Sequence, residues 1–240
     1  MKLISLNLLR GEMREPLAEF LKRYANETDI FLFQEMPGPT SKNSMPFLTS
    51  AEIEDILSGF NNYSKNYSRN EGHLEDMGFF IKKEIGVKES GEVEIHDSSI
   101  FDETVEHLWR DLNYVVLDDG QLIVNFHGLW DGPDKLDRPR RLEQSRKVKA
   151  FMDKYDGPTI LAGDFNLWPG TESLKILENG MINLIDKYGI HSTRPSSFNF
   201  PNKYSDYIFV SSGIKINDFK TLPDEVSDHL ALYLDINFLN

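Results

Sequence analysis

The chain has 240 residues, and 26 lysines and arginines against 39 acidic residues give it a formal net charge of −13. Proteins that coat DNA without regard to sequence depend on a basic surface, so this charge excludes that class. The chain contains no cysteine. This excludes disulfides, thiolate metal sites and a cysteine nucleophile, and any metal must bind through oxygen and imidazole ligands.

The composition is that of a folded globular protein, with 40% apolar, 12% aromatic and 27% charged residues. No repeat, low-complexity tract or linker rich in proline, glycine and serine divides the chain, so we expect one domain over residues 1–240. No run of about 18 apolar residues and no signal-peptide pattern occur, and we therefore expect a cytoplasmic protein without membrane insertion. We also expect the protein to be a monomer.

Eight short apolar runs, taken in chain order, predict strands that are buried on both faces. They lie at residues 3–9, 30–33, 77–81, 114–117, 122–126, 159–162, 207–210 and 230–236. Apolar residues at helical spacing predict helices around residues 17–24 and 148–155. Because residues 77–117 carry consecutive strand patterns with only turns between them, the sequence predicts a mixed sheet and an α/β sandwich.

Charge is distributed unevenly along the chain. Residues 89–119 hold ten acidic residues against one basic residue, which indicates a solvated acidic face, whereas residues 135–154 hold eight basic residues against three acidic ones. Within the basic segment, Arg141, Gln144 and Ser145 share a helix face with the apolar residues, so we expect them to face the sheet. Two interpretations remain open: these polar groups serve a site at the rim of the sheet, or they hydrogen-bond the loop beneath them.

Strongly polar residues stand at the ends of several predicted strands. Asn7 lies near the end of the first strand, where a buried amide needs hydrogen-bond partners or costs about 1–3 kcal/mol. In the last two strands the polar residues come first, so antiparallel strands would bring them to the same rim. The series is Asn7, Gln34 and Glu35, His127, Asp164 and Asn166, Asp206, and Asp228 and His229. Each residue alone also fits a turn or a packed loop, but together at one rim they indicate a functional site.

Six short segments carry this series in order: Ser5-Leu6-Asn7, Gln34-Glu35, Asn125-Phe126-His127-Gly128, Gly163-Asp164-Phe165-Asn166, Ser205-Asp206-Tyr207-Ile208-Phe209-Val210-Ser211 and Ser227-Asp228-His229. The ordered set resembles the endonuclease/exonuclease/phosphatase superfamily, the DNase I-like metal-dependent phosphohydrolases. The resemblance implies a four-layer α/β sandwich, in which two mixed β-sheets pack face to face with helices outside. It also implies a Mg²⁺- or Mn²⁺-dependent hydrolase whose site lies at one rim between the sheets.

The resemblance implies metal-binding roles for three residues. Glu35 resembles the principal metal ligand, Asn7 a residue close to the metal or its waters, and Asp228 a candidate further ligand. Oxygen ligands of this kind suit hard divalent ions, which keep several of their waters.

The same resemblance implies catalytic roles for five residues. Asp164 resembles the residue that orients and activates the attacking water, and Asn166 the amide that holds a phosphate oxygen. His229 resembles the essential imidazole beside the phosphorus, with Asp206 as the partner that fixes its tautomer. His127 resembles a second imidazole near the scissile phosphate, and which histidine acts as the acid stays open. The implied reaction is in-line attack by water on a phosphoric ester, without a covalent intermediate.

The substrate stays open among three hypotheses. The leading one is a phosphodiester of a nucleic acid or nucleotide-type molecule, although the net charge of −13 argues against long nonspecific contact with duplex DNA. The second is a phosphomonoester or a lipid headgroup, of the inositol phosphate or sphingomyelin kind, for which Arg141, Arg138 and Lys135 are candidate phosphate-binding residues. The third is a non-catalytic binding scaffold.

Further residues are candidates for contacts with the substrate. Arg141 and Gln144 lie on the inward face of the predicted helix, and Trp130 and Trp168 fall in loops next to the predicted site. Together with Phe198, these tryptophans would be able to stack on a base or an apolar headgroup. Packing within the loops explains the aromatic residues equally well.

Overall fold

A computed structural model gives the fold of residues 1–37, 47–64, 75–95 and 111–239, so the acidic segment at 89–119 falls partly outside the described residues. The helices are α1 (Arg14–Tyr24), α2 (Ser50–Ile56), α3 (Pro139–Met152), α4 (Glu172–Glu178) and α5 (Leu184–Lys187). The strands are β1 (Lys2–Asn7), β2 (Ile30–Pro37), β3 (Phe60–Asn62), β4 (Glu75–Lys82), β5 (Val87–Glu94), β6 (Asp111–Leu117), β7 (Leu122–His127), β8 (Thr159–Asp164), β9 (Met181–Asn183), β10 (Asp206–Ser211), β11 (Ile214–Thr221) and β12 (Leu232–Phe238).

The strands of the described residues form two six-stranded sheets. The first has the order β11-β12-β1-β2-β4-β3 and the second the order β5-β6-β7-β8-β10-β9. Both sheets are mixed, because β1 runs parallel to β2 and antiparallel to β12, while β7 runs parallel to β8 and antiparallel to β6. The central strands β2 and β7 carry runs of Ile, Leu, Val and Phe, as expected for strands that are covered on both faces.

Side-chain alternation divides the apolar residues between two cores. On β1, Leu3 belongs to the larger core, which contains residues of both sheets. The next residue, Ile4, packs instead with Leu17 and Phe20 of α1 in a separate core on the outer face of the first sheet. Val148 of α3 joins the larger core from the second sheet's side. Helices therefore flank two sheets that pack face to face, which confirms the predicted fold class.

A buried amide network links the two sheets. Asn125 Nδ2 on β7 donates to Phe33 O (2.9 Å) and Gly78 O (3.0 Å), and Asn125 Oδ1 accepts from Gln34 Nε2 (2.7 Å). The two carbonyls lie where the register of β2 against β4 shifts between Phe33 and Met36, so the Asn125 amide supplies donors for these backbone groups. The link lies directly beneath the rim that carries the predicted site.

We expect Asn125→Ala to lower the free energy of unfolding by about 2–3 kcal/mol, because buried groups on both sheets lose their partner. Equilibrium unfolding in urea measures this change. Asn217→Ala on the exposed face of β11 is the matched control, with an expected effect below about 0.5 kcal/mol. Equal midpoints for the two variants would show that the network does not stabilise the sheet pairing.

All eight predicted strands are present, but several boundaries differ. The first strand ends at Asn7 rather than at residue 9, because residues 9–11 form a 3₁₀ turn. The last strand begins at Leu232, and α3 ends at Met152, which leaves Tyr155 of the predicted helix outside it. Short or half-exposed elements such as α2, β9 and β11 lack a continuous apolar run and were not predicted. Within the described residues, no helix combines the length and the apolar character needed to cross a membrane.

Candidate active site

The ends of the strands bring polar residues of both sheets to one rim. His127 at the end of β7 pairs with Asp164 at the end of the parallel strand β8. Asp206 begins the antiparallel strand β10 and pairs with the same Asp164. On the first sheet, Asn7 at the end of β1 pairs with Gln34 of β2. The predicted convergence of these residues at one rim is confirmed.

Asn7 bridges the two sheets at this rim. Its Nδ2 donates hydrogen bonds to Glu35 Oε1 (3.0 Å) and to Asp164 Oδ2 (3.1 Å). Its Oδ1 accepts a hydrogen bond from the backbone N–H of Leu9 (3.0 Å), so the fully buried amide is satisfied at both ends. Asn7 therefore gathers two carboxylates from different sheets around one donor.

Glu35 reaches the rim because the backbone of β2 is distorted. Simple alternation would turn Glu35 away from the second sheet, since its neighbour Gln34 points toward that sheet. The register shift between Phe33 and Met36 and a φ of 49° at Glu35 re-aim its carboxylate toward Asn7. Positive φ at a residue with a side chain costs of order 1–3 kcal/mol, and such strain clusters at functional sites.

Two overlapping groups of side chains have the spacing that a metal ion requires. Glu35, His127 and Asp164 form one group, and Asp164, Asp206 and His229 the other, with the ligand atoms of each group within 4.8 Å of one another. His127 Nε2 lies 3.9 Å from Glu35 Oε1 and 3.8 Å from Asp164 Oδ2. Two carboxylates beside an imidazole are donors that suit a divalent cation. The residues present therefore fit the predicted metal.

The Asp206 carboxylate holds the imidazole ring of His229 at its Nδ1 atom. Its Nδ1 lies 2.8 Å and 2.9 Å from the two oxygens of Asp206, and Thr193 Oγ1 donates to Asp206 Oδ2 at 2.8 Å. Burial alone would lower the pKa of His229, but the charges of Asp206 and Asp164 and the hydrogen bond to Asp206 together raise it above its ordinary value. The second ring nitrogen, Nε2, lies 3.7 Å from Asp164 Oδ2. His229 therefore presents a ring nitrogen toward the water-activating candidate.

Asp164 is buried and uses both of its oxygens. Oδ1 accepts hydrogen bonds from the Ser205 hydroxyl (2.5 Å) and from the Asn166 backbone N–H (3.0 Å), while Oδ2 faces the two histidines. Burial would raise the pKa of this carboxyl, but the His229 and His127 rings hold it well below its usual range. The lowered pKa favours the ionised form of Asp164, which its predicted role requires.

Asn166 turns the chain out of β8 next to the end of β7. It has a φ of 52°, and its Nδ2 donates to Gly128 O at 3.2 Å. A Cβ at Gly128 would lie 2.2 Å from Phe165 O, so glycine is required for this close approach of the two strand exits. The phosphate-binding role of Asn166 stays a prediction.

Asp228 is placed differently from the other predicted metal ligands. It belongs to neither metal-compatible group of the described residues, and its Oδ2 accepts a hydrogen bond from Arg194 Nη1 at 2.5 Å. The same nitrogen of Arg194, which is buried, also donates to Asp228 O at 3.0 Å. The sequence pattern missed Arg194 and Thr193 because both lie in an irregular loop without periodicity. The role of Asp228 as a further ligand stays a prediction, and Arg194 competes for its carboxylate.

Arg141 and Gln144 hold a loop in place. Arg141 Nη1 donates to Leu136 O at 2.6 Å, and Gln144 Oε1 accepts from the Leu129 N–H at 2.9 Å. Both side chains are buried, and these polar groups are directed at the backbone of the loop. The prediction that these residues contact the substrate stays a prediction. The alternative interpretation, in which this helix face supports the loop beneath it, agrees with the contacts.

The other two basic candidates differ from each other. Arg138 pairs with Asp134 at 2.8 Å on the surface. Lys135 is buried, and its Nζ donates to Ser205 Oγ at 2.6 Å. The predicted basic segment therefore sends Lys135 into the site, while Arg138 and Arg141 contact other protein groups.

The aromatic candidates fall into two sets. Trp130 is 53% exposed, so its ring has an open face. Trp168 is half-buried and packs edge-on against Tyr204, with ring centroids 5.5 Å apart. Phe198 lies under the Arg194 guanidinium at 4.6 Å. Trp130 is therefore the predicted stacking residue whose ring is the most open.

A family model supports this interpretation of the site. The model described as the Endonuclease/Exonuclease/phosphatase family matches residues 4–229 of the chain. Among curated proteins, none matches the chain by sequence.

Solved structures of several enzymes share the fold. A mannosyl-6-phosphatase of Bacteroides thetaiotaomicron VPI-5482 is 18% identical with a TM-score of 0.76, covering 99% of this chain and 100% of that one. D. rerio TDP2, complexed with a single-strand DNA product, is 18% identical with a TM-score of 0.68, covering 99% and 98%. The human Nocturnin catalytic domain, with a bound sulfate anion, is 15% identical with a TM-score of 0.69, covering 99% and 93%. At these identities the likeness shows the fold.

Proposed function

Because the chain belongs to the Endonuclease/Exonuclease/phosphatase family, we propose that it is a divalent-metal-dependent hydrolase of phosphoric esters, with a phosphodiester as the leading substrate class. The observation that carries the proposal is the Asn7 amide, which joins Glu35 and Asp164 beside the buried pair of His229 and Asp206. A scaffold without activity would have no need to bury so many ionisable groups at one rim.

Glu35 is the principal candidate ligand for Mg²⁺ or Mn²⁺, with Asn7 beside it and Asp228 as a candidate further ligand. When bound, such an ion stabilises negative charge on the phosphoryl oxygens. The short distance between Glu35 Oε1 and the Asn7 amide keeps the carboxylate of Glu35 in one orientation. Asn7 therefore preorganises the ligand before the ester arrives.

The protein's own groups orient the water and handle the protons. Asp164 accepts a hydrogen bond from the attacking water at Oδ2, the oxygen that faces His127 and His229. His229 carries a proton at Nε2, and Asp206 holds its Nδ1–H and stabilises the imidazolium. His127 Nε2, on the other side of Asp164, provides a second donor for the phosphate or the leaving oxygen.

A phosphomonoester is the second candidate. The mannosyl-6-phosphatase of B. thetaiotaomicron shares the fold along the whole chain, and the net charge of −13 disfavours a long polyanionic substrate. The open ring of Trp130, three residues after His127, favours instead a diester with a base or another flat group beside the phosphate. We place the protein in the cytoplasm as part of the same proposal.

The test is hydrolysis by purified, EDTA-treated protein. We expect no turnover until Mg²⁺ or Mn²⁺ is added, and then faster release of nitrophenol from bis-p-nitrophenyl phosphate than from p-nitrophenyl phosphate. Plasmid DNA and RNA are assayed in parallel to find nuclease activity. Preference for the monoester would support the second candidate, and silence on all substrates with both metals would contradict the proposed function.

A further inference from the structure

Lys135 is a buried lysine that lies against the candidate active site. It is 5% exposed and belongs to the loop between β7 and α3. Its Nζ donates to Ser205 Oγ at 2.6 Å and to Tyr204 O at 3.3 Å. Burial lowers the pKa of Lys135, and the nearby Asp164 carboxylate opposes that shift. Burying an ammonium group is unfavourable, so the surroundings of Lys135 must compensate for it.

The backbone of Lys135 is held in an unfavourable conformation. Its φ is 55°, in the left-handed region that residues with a Cβ rarely adopt. The Lys135 carbonyl accepts a hydrogen bond from the Trp168 N–H at 2.8 Å. Two residues later, the Asp137 carboxylate accepts from the Ser173 N–H at the start of α4 at 2.9 Å. The surrounding contacts thus maintain a strained turn that directs the Lys135 side chain inward.

The donors and acceptors define the direction of the hydrogen-bond chain that runs from Lys135 through Ser205 to Asp164. The ionised Asp164 carboxylate can only accept, and Ser205 Oγ lies 2.5 Å from its Oδ1, so the serine hydroxyl donates to Asp164. The ammonium group of Lys135 has donors only, so it donates to the remaining lone pair of the same hydroxyl oxygen. Lys135 therefore polarises Ser205 toward Asp164.

The hydrogen-bond chain from Lys135 through Ser205 holds Oδ1 of Asp164, while Oδ2 is the oxygen that faces the candidate active site. Oδ1 also accepts from the Asn166 N–H at 3.0 Å, whereas Oδ2 lies 3.7 Å from His229 Nε2 and 3.8 Å from His127 Nε2. Rotation of the carboxylate would break both hydrogen bonds to Oδ1. The orientation of Oδ2 consequently depends on the groups that hold Oδ1, together with the Asn7 amide, which donates to Oδ2 at 3.1 Å.

We propose that Lys135 is a positioning residue, which acts through Ser205 to keep Asp164 Oδ2 directed at the reacting water. The inference rests on the proposed function, because it assigns Lys135 a part in that reaction. Lys135 acts through the hydroxyl and makes no contact with the ester. Residues 135 and 205 are 70 positions apart, and the loop and the start of β10 bring them together.

The test compares variants that each remove one member of the hydrogen-bond chain from Lys135 to Asp164. Lys135→Met removes the charge and Ser205→Ala removes the hydroxyl. Each should lower kcat on bis-p-nitrophenyl phosphate by about 10- to 100-fold, while KM changes by less than about threefold. Ser205→Thr keeps the hydroxyl and should retain most of the activity. Lys175→Met on the exposed face of α4 is the matched control and should match the wild type.

The double variant distinguishes positioning from mere packing. If Lys135 acts through Ser205, adding Lys135→Met to Ser205→Ala should lower kcat by less than about a further threefold. Multiplicative losses in the double variant, or an unchanged kcat in Ser205→Ala, would overturn the proposal. If Lys135→Met does not fold, an unchanged kcat in Ser205→Ala alone would still overturn the proposal.

A crystal structure of Ser205→Ala gives a readout that needs no turnover. We expect the Asp164 carboxylate to rotate by more than about 30° once Oδ1 loses its hydroxyl donor. An unchanged carboxylate would overturn the inference. A wild-type protein that is inactive on every ester would overturn the proposed function, whereas the crystal structure would still decide whether the chain of contacts orients Asp164.

Discussion

Glu35→Gln should lower kcat/KM for the preferred ester by about 10²- to 10⁴-fold, which corresponds to several kcal/mol of lost charge stabilisation. The physical reason is that glutamine removes the negative charge of the principal candidate ligand. Glutamine nevertheless keeps an oxygen that can accept the hydrogen bond from Asn7 Nδ2. The loss therefore reports on charge and not on packing.

Titration of activity with Mg²⁺ measures the same change independently. The concentration of Mg²⁺ that gives half-maximal activity should rise by about tenfold or more in Glu35→Gln, because removing a charged ligand weakens binding. Glu143→Gln, on the half-exposed face of α3, is the matched control and should leave both quantities unchanged. A Glu35→Gln protein with normal metal dependence would contradict the role of Glu35.

His229→Asn should lower kcat by about 10²- to 10⁴-fold, the range expected when a group that transfers protons is lost. The asparagine amide can still donate to Asp206, which preserves a partner for this buried carboxylate. What disappears is the ring nitrogen Nε2 that faces Asp164 Oδ2. Single-turnover kinetics at saturating substrate and metal would measure the chemical step directly.

A second comparison tests whether His229 and Asp206 act as one unit. If Asp206 acts through the imidazole, then Asp206→Asn should cost activity in the wild type and little more in the His229→Asn background. His191→Asn, a surface histidine, is the matched control. Full activity in His229→Asn would eliminate this histidine from the reaction.

The sequence was sufficient to predict the rim and most of its residues. Asn7 stands out because a buried strand rarely ends in an amide, and His127 and Asp164 follow continuous apolar runs. Antiparallel pairing of β10 with β8 then places Asp206 opposite Asp164, as the order of polar and apolar residues predicted. These features are local, so periodicity reveals them.

The remaining features depend on contacts between distant residues. The direction of Glu35 depends on a bulge that alternation does not predict. Thr193 and Arg194 meet residues 13 and 34 positions away, and their irregular loop offers no repeating pattern. Lys135 was predicted as a phosphate-binding candidate, but its Nζ contacts Ser205. Tertiary packing decides each of these cases.

The inward position of Arg141 was predictable from the sequence, but its hydrogen-bond partners were not. Its position on the inward helix face followed from the 3.6-residue period, and the residue is buried as expected. The period does not indicate which group a buried guanidinium will bond to, and here Leu136 O and Gly132 O accept from it. A polar residue on an inward face thus identifies a buried hydrogen-bonding position and not a ligand contact.

The left-handed backbone at Glu35 bears on how this protein can be engineered for heat resistance. Glycine adopts a φ of 49° without a steric penalty, so a design aimed only at a higher melting temperature would remove the carboxylate. Asn166 has a φ of 52°, so glycine would relieve backbone strain there as well and would remove its side-chain amide. Libraries of thermostabilising variants should therefore leave Glu35 and Asn166 unchanged. At both positions, a substitution that raises the melting temperature would remove a side chain of the candidate active site.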